Sequence, residues 1–95
     1  MNYKEMIKDM VRGRIKELWE QMVDEAPDFE DAMELFEKYN DKSFEIIEAI
    51  ETMIEGAEAA EMLEPDEAKE IKMFASDIRE EFEVMLDEEY IHQVA

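Results

Sequence analysis

The sequence predicts an all-α protein, folded as a compact antiparallel four-helix bundle, and three observations support that prediction. Apolar residues recur at spacings of three and four along most of the 95 residues, which places them on one face of a helix. Only two glycines and two prolines are present, so turns must be few and short, and short connections favour antiparallel neighbours. At this length we expect one helical domain, residues 1–95.

The first two helices are predicted over about residues 2–25 and 27–39. The apolar stripe of the first helix is wide, which implies burial on more than one side. Pro27 suits the first turn of the second helix, because its fixed backbone angle is helical and its missing N–H is not needed there. The second helix is expected to stop near Asn40.

The third and fourth helices are predicted over about residues 43–63 and 65–91. Asp41 or Ser43 can cap the third helix, since short polar side chains accept hydrogen bonds from its first N–H groups. Pro65 opens the fourth helix and is followed by acidic residues, which are favourable at a helix N-terminus.

A dense series of carboxylates is the main candidate site. Between Ser43 and Glu67 the chain has nine acidic residues and no Lys or Arg. They are Glu45, Glu48, Glu51, Glu55, Glu58, Glu61, Glu64, Asp66 and Glu67. The seven Glu from Glu45 to Glu64 place one negative charge per about 4.3 Å of helix axis, close to the spacing of about 3.4 Å between phosphates of a DNA strand. Like charges one turn apart are destabilising, so these residues indicate a cationic partner. The other interpretation is a solvated face that only keeps a small protein soluble.

The overall charge supports the interpretation that the partner is cationic. The formal net charge is −19, although residues 1–16 carry five basic and only two acidic groups. An anionic surface repels nucleic acid and anionic lipid and attracts basic proteins. Because Cys is absent, disulfides, thiolate metal sites and Cys nucleophiles are excluded. The N-terminal residues do not read as a signal peptide, and no apolar run approaches the roughly 20 residues of a membrane span, so we expect a cytoplasmic protein.

Catalysis, cofactors and metals are not predicted. Ser43, Thr52 and Ser76 have no His nearby, and no glycine-rich phosphate loop is present. Glu89 and His92 match the Glu-x-x-His spacing of di-iron bundles. A single such motif is expected by chance in a chain with 21 Glu, so the sequence predicts no metal site and no enzyme.

The acidic series, the net charge, the small size and the lack of catalytic residues resemble the strategy of phage anti-restriction and anti-CRISPR proteins that mimic DNA. The resemblance is one of composition, and it implies an inhibitor that occupies the basic groove of a DNA- or RNA-binding protein. The alternative is an acidic helical adaptor, antitoxin or chaperone that masks a basic or amphipathic partner. A homodimer through the first helix is also expected, with Trp19, Met22 and Val23 at its interface.

Overall fold

The computed structural model describes residues 2–91, which form three long helices. Helix α1 spans Tyr3–Glu25, α2 spans Ala32–Ala59 and α3 spans Pro65–Leu86. A 3₁₀ turn, Ala26–Asp28, follows α1, and a π-helical turn, Asp87–Ile91, follows α3. The all-α class is confirmed, and the described part contains no strand. The three helices pack side by side into a body of 47 × 20 × 20 Å.

The prediction of a four-helix bundle is wrong, because the expected second and third helices are one continuous helix of 28 residues. The polar residues 40–43 predict a helix end, but they contain neither Pro nor Gly. Ser43 is fully buried, and its hydroxyl donates to the Asn40 carbonyl at 2.6 Å instead of capping a new helix. Tyr39, Ser43 and Ile47 are all buried at four-residue spacing, so the buried stripe of α2 continues through this region.

The predicted start of the second helix also needs correction. Pro27 lies in the 3₁₀ turn and not in the first turn of α2. Helix α2 begins five residues later, where the Asp31 carboxylate accepts a hydrogen bond from the Met33 N–H at 2.9 Å. An Asp in this position satisfies one of the free N–H groups at the helix start. At the other end of the chain, the α-helix predicted to reach residue 91 stops at Leu86.

The core consists of two apolar clusters arranged along the molecule. The first cluster joins the start of α1, the second half of α2 and the start of α3, through Ile7, Val11, Ile47, Ile50, Ile54, Ala57, Leu63, Ala68, Ile71 and Ala75. The second joins the opposite ends, through Ile15, Leu18, Met22, Leu35, Tyr39, Phe82 and Leu86. Ile46 and Ile78 pack against both clusters. Each long helix therefore contributes to both clusters.

Replacement of either glycine by alanine should stabilise the protein. Gly13 and Gly56 lie inside helices and have no positive φ, and nothing stands within 4 Å of where a Cβ would be placed. Because Ala loses less backbone entropy on folding, Gly13→Ala and Gly56→Ala should each add about 0.5–1 kcal/mol to the free energy of unfolding. Thermal unfolding followed by circular dichroism measures the change. A lower melting temperature in either variant contradicts the helical geometry described here.

Candidate partner-binding surface

Four of the predicted carboxylates lie close together on α2, and we call them the acidic face: Glu48, Glu51, Glu55 and Glu58. Their spacings of three and four residues make them neighbours on the helix surface. Glu48 and Glu55 are exposed, and Glu51 and Glu58 are partly exposed. All four are held by a helix whose opposite side is buried along its whole length. The carboxylates are therefore carried on a fixed backbone.

The remaining five carboxylates extend the series in two directions. Glu45 lies at the groove between α1 and α2, whereas Glu58 lines a cleft next to α3, so the series winds around the outer surface of α2. The other four, Glu61, Glu64, Asp66 and Glu67, lie at the turn between α2 and α3 and at the start of α3. Of these, Glu67 accepts a hydrogen bond from the Glu64 N–H at 3.2 Å. The nine carboxylates together thus form a curved strip instead of a flat patch, and we call this set the acidic strip.

Little of this strip is neutralised by the chain's own cations. Among the described residues, Glu55 is the one member of the nine that forms an ion pair, with its Oε1 3.5 Å from Lys72 Nζ. The Glu55 side chain is 65% exposed and that of Lys72 38% exposed, and such an exposed pair contributes little to stability. The strip therefore keeps almost all of its negative charge.

Three of the five cations in the basic first half of α1, Lys4, Lys8 and Arg12, make contacts within the molecule. Lys4 Nζ lies 2.9 Å from the Glu70 carboxylate, and Lys8 Nζ lies 3.9 Å from it. The hydrogen bond from Lys4 lowers the pKa of Glu70, and the same bond raises the pKa of Lys4. Lys8 and Arg12 stand over the Phe74 ring, 5.3 and 4.8 Å from its centroid. These contacts join α1 to α3.

A second group of cations serves the opposite end of the bundle. Lys38 Nζ lies 2.8 Å from the Glu25 carboxylate, and this hydrogen bond is the largest cause of the lowered pKa of Glu25. Next to this pair, burial raises the pKa of the Tyr39 phenol, and the nearby Glu25 carboxylate raises it further. In α3, Arg79 donates to Asn40 Oδ1 at 3.1 Å and stacks 3.9 Å above the Phe44 ring. Arg79 thereby ties α3 to the middle of α2.

The turn after α2 places an acidic residue in a conformation that favours glycine. Glu61 has a φ of 62°, which is the left-handed region. The Met62 N–H donates to the Ala57 carbonyl at 2.8 Å, and the Glu61 N–H donates to the Glu58 carbonyl at 3.0 Å. This is the hydrogen-bond pattern of a Schellman motif, whose left-handed position is usually glycine. A carboxylate thus stands in the strip at a position where it costs stability.

The three residues predicted to form an oligomer interface do not share an exposed surface. Met22 is fully buried in the second core cluster, so it has no surface left for a partner. Trp19 is partly buried and packs edge-on against Phe82, with ring centroids 6.0 Å apart. Val23 is 47% exposed. The wide apolar stripe of α1 is explained mainly by packing within the chain.

The predicted absence of a metal site stays a prediction. No group of three or more His, Asp or Glu side chains able to hold a metal ion occurs in the part of the chain that the structure describes. Glu89 is an exposed residue of the π-helical turn. Its potential partner, His92, lies outside the described residues.

The sequence did not predict the groove between α1 and α2, a mainly apolar recess that Glu45 of the acidic strip also lines. We call it the α1–α2 groove, and its volume is about 520 Å³. Its lining residues are Met10, Arg14, Leu18, Gln21, Lys42, Glu45, Ile46, Ala49, Ile50 and Met53. The one feature of the sequence that pointed to this groove was the wide apolar stripe of α1, because Met10 lies beside the core positions Ile7 and Val11.

The chain matches no protein-family model, no curated protein and no solved structure. Within residues 2–91, no helix has an apolar stretch long enough to cross a membrane. The function must therefore be argued from the surfaces themselves.

Replacing Glu61 by glycine should stabilise the fold. Glycine adopts the left-handed conformation without the strain that a Cβ causes, so Glu61→Gly should raise the free energy of unfolding by about 1 kcal/mol. Urea denaturation at constant pH measures the change. Glu64→Gly, at the start of α3, is the control and should not be stabilising. A destabilised Glu61→Gly variant contradicts the described turn.

Removing charge from the acidic face should also stabilise the protein. Glu51 has like-charged neighbours at Glu48 and Glu55, so Glu51→Gln should add about 0.4–1 kcal/mol at low ionic strength, for two relieved pairs. The gain should shrink in concentrated NaCl, which screens exposed charges.

Glu70→Gln is the matched control and should lower stability at neutral pH. Since the pKa of Glu70 is lowered in the folded state, its ion pair contributes at neutral pH and is lost as the pH falls through that lowered pKa. In acid, the stability of the Gln variant should therefore approach that of the wild type. Destabilisation by Glu51→Gln would contradict net repulsion among the carboxylates of the acidic face.

Proposed function

We propose that this protein is a non-catalytic inhibitor that binds the basic groove of a DNA- or RNA-binding protein in place of nucleic acid. The observation that supports this best is the acidic face, in which four carboxylates on one rigid helix form a single exposed ion pair among the described residues. Because α2 is buried along its opposite side, the backbone that carries the carboxylates needs little ordering when a partner binds. Pre-ordered groups lose less entropy on association.

The dimensions and the charge suit such a target. The acidic half of α2, from Glu45 to Ala59, extends about 21 Å at 1.5 Å per residue, which corresponds to about six base pairs of DNA at 3.4 Å each. A net charge of −19 accelerates encounter with a basic surface by long-range attraction. An inhibitor of a bacterial or phage nucleic-acid enzyme acts in the cytoplasm, so that location is part of the proposal.

One observation favours the alternative function of an adaptor, antitoxin or chaperone. The lining of the α1–α2 groove is largely apolar, and an apolar groove can hold a helix of a partner protein. In that case the acidic face would serve solubility and steering only. The predicted dimer through α1 is required by neither function and stays a prediction.

The proposal is tested by capture and inhibition. Immobilised protein is incubated with bacterial lysate, washed, and eluted with double-stranded DNA, which competes for a nucleic-acid-binding groove. Nucleic-acid enzymes in the eluate are identified, purified and assayed for inhibition. Elution of such an enzyme by DNA, together with inhibition in the assay, is the expected result. A captured partner that DNA does not release favours the adaptor.

Charge reversal then locates the binding surface. A variant carrying Glu48→Lys, Glu51→Lys, Glu55→Lys and Glu58→Lys should weaken inhibition about 100-fold or more, since four contacting carboxylates become repulsive. The control makes the same charge change on exposed residues of α3 and the turn that follows: Asp77→Lys, Glu80→Lys, Glu81→Lys and Glu88→Lys. The control should stay within a few-fold of wild type, and circular dichroism should show intact helices in both. Equal losses in the two variants would mean that net charge alone acts and that the acidic face is not the site.

A further inference from the structure

The α1–α2 groove has the shape of a binding site for one more helix. In residues 2–91, α3 covers one side of the α1–α2 pair, and no helix covers the other. Met10 and Leu18 come from α1, whereas Ile46, Ile50 and Met53 come from α2. Amphipathic helices bind such grooves by their apolar stripe.

Two cations of the groove indicate the charge of its occupant. Arg14 and Lys42 line the groove together with a single carboxylate, Glu45. Neither cation is in an ion pair within the described part of the chain, although the chain has 29 acidic residues. By contrast, Lys4 and Lys8 are paired with Glu70. The groove is therefore a locally cationic apolar recess in a strongly anionic protein.

We propose that the α1–α2 groove binds an amphipathic helix of a partner protein whose apolar stripe is edged by carboxylates. This goes beyond the proposed inhibition, because the acidic face borders α3 and the groove borders α1. Each surface can therefore be removed without the other. The net charge of −19 repels such a helix at long range, but this repulsion is screened over about 8 Å at physiological ionic strength. Contacts with Arg14 and Lys42 act at short range and are screened less.

Long-range repulsion by the net charge and short-range attraction by Arg14 and Lys42 should give the peptide affinity a distinctive dependence on salt. The probes are two designed, fluorescein-labelled helical peptides of equal length with the same leucine stripe, one edged by Glu and the other by Lys. Fluorescence anisotropy should show that the Glu-edged peptide binds with 1:1 stoichiometry, and that its affinity holds or rises as NaCl increases. The Lys-edged peptide, attracted by net charge alone, should bind more weakly as NaCl increases.

Two pairs of variants with matched charge changes locate the binding. Ala49→Glu adds a carboxylate inside the groove, and Ala59→Glu adds one elsewhere on α2; both alanines are exposed. Arg14→Glu removes a groove cation, and Lys16→Glu removes an exposed cation of α1 that does not line the groove. The groove variants should lower the affinity for the Glu-edged peptide about tenfold, as expected for loss of a charged contact. The controls should stay within about twofold.

Four results overturn the proposal. The first is no measurable binding of the Glu-edged peptide at any salt concentration. The second is a Lys-edged peptide that binds as tightly as the Glu-edged peptide at high salt. The third is control variants that weaken binding as much as the groove variants do. The fourth is a dimer of the protein alone, seen by light scattering, that Ala49→Glu dissociates and Ala59→Glu does not, since a second copy would then fill the groove. The peptide assay does not involve the acidic face, so failure here leaves the proposed inhibition unaffected.

Discussion

The acidic face and the α1–α2 groove are both positioned by the unbroken packing of α2 against the two core clusters. Leu35 and Tyr39 belong to one cluster, Ile47 and Ile54 belong to the other, and the buried Ser43 lies between them. A break at this point would let the acidic half of α2 move relative to the first half, although both halves pack against α1. Because the helix continues, the acidic face and the α1–α2 groove keep a fixed relation to each other on opposite sides of one element.

The charges divide according to this packing. Cations on the inward-turned sides hold the helices together, as Lys4 does with Glu70 and Arg79 does with Asn40. The outer surface of α2 is left with carboxylates that repel one another. Glu61 in a left-handed conformation and two helical glycines without a packing role add to the cost in stability. Such local departures from what favours the fold are expected at surfaces that serve a function.

Sequence reasoning predicted what depends on neighbouring residues alone. The periodicity gave the helical class and the extent of α1, and Pro65 gave the start of α3. It failed between residues 40 and 43, because Asn, Asp and Ser favour caps locally, whereas here Ser43 is buried and Arg79 binds Asn40 from a distant helix. Helical spacing predicted that Glu48, Glu51, Glu55 and Glu58 lie together. It could not predict that Met22 is buried, because that burial depends on packing against the other helices. The groove was not predictable, since it is formed by the relative position of two helices.

Amide hydrogen exchange measured by NMR tests the continuity of α2 most directly. If α2 is a single helix shared by both clusters, the N–H groups of residues 41–46 should be protected to a degree similar to those of residues 47–54, because all are bonded within one cooperative element. Fast exchange confined to residues 41–44, between two protected segments, would contradict the account. That result would indicate two separate helices, so the acidic face would no longer be carried by one rigid element.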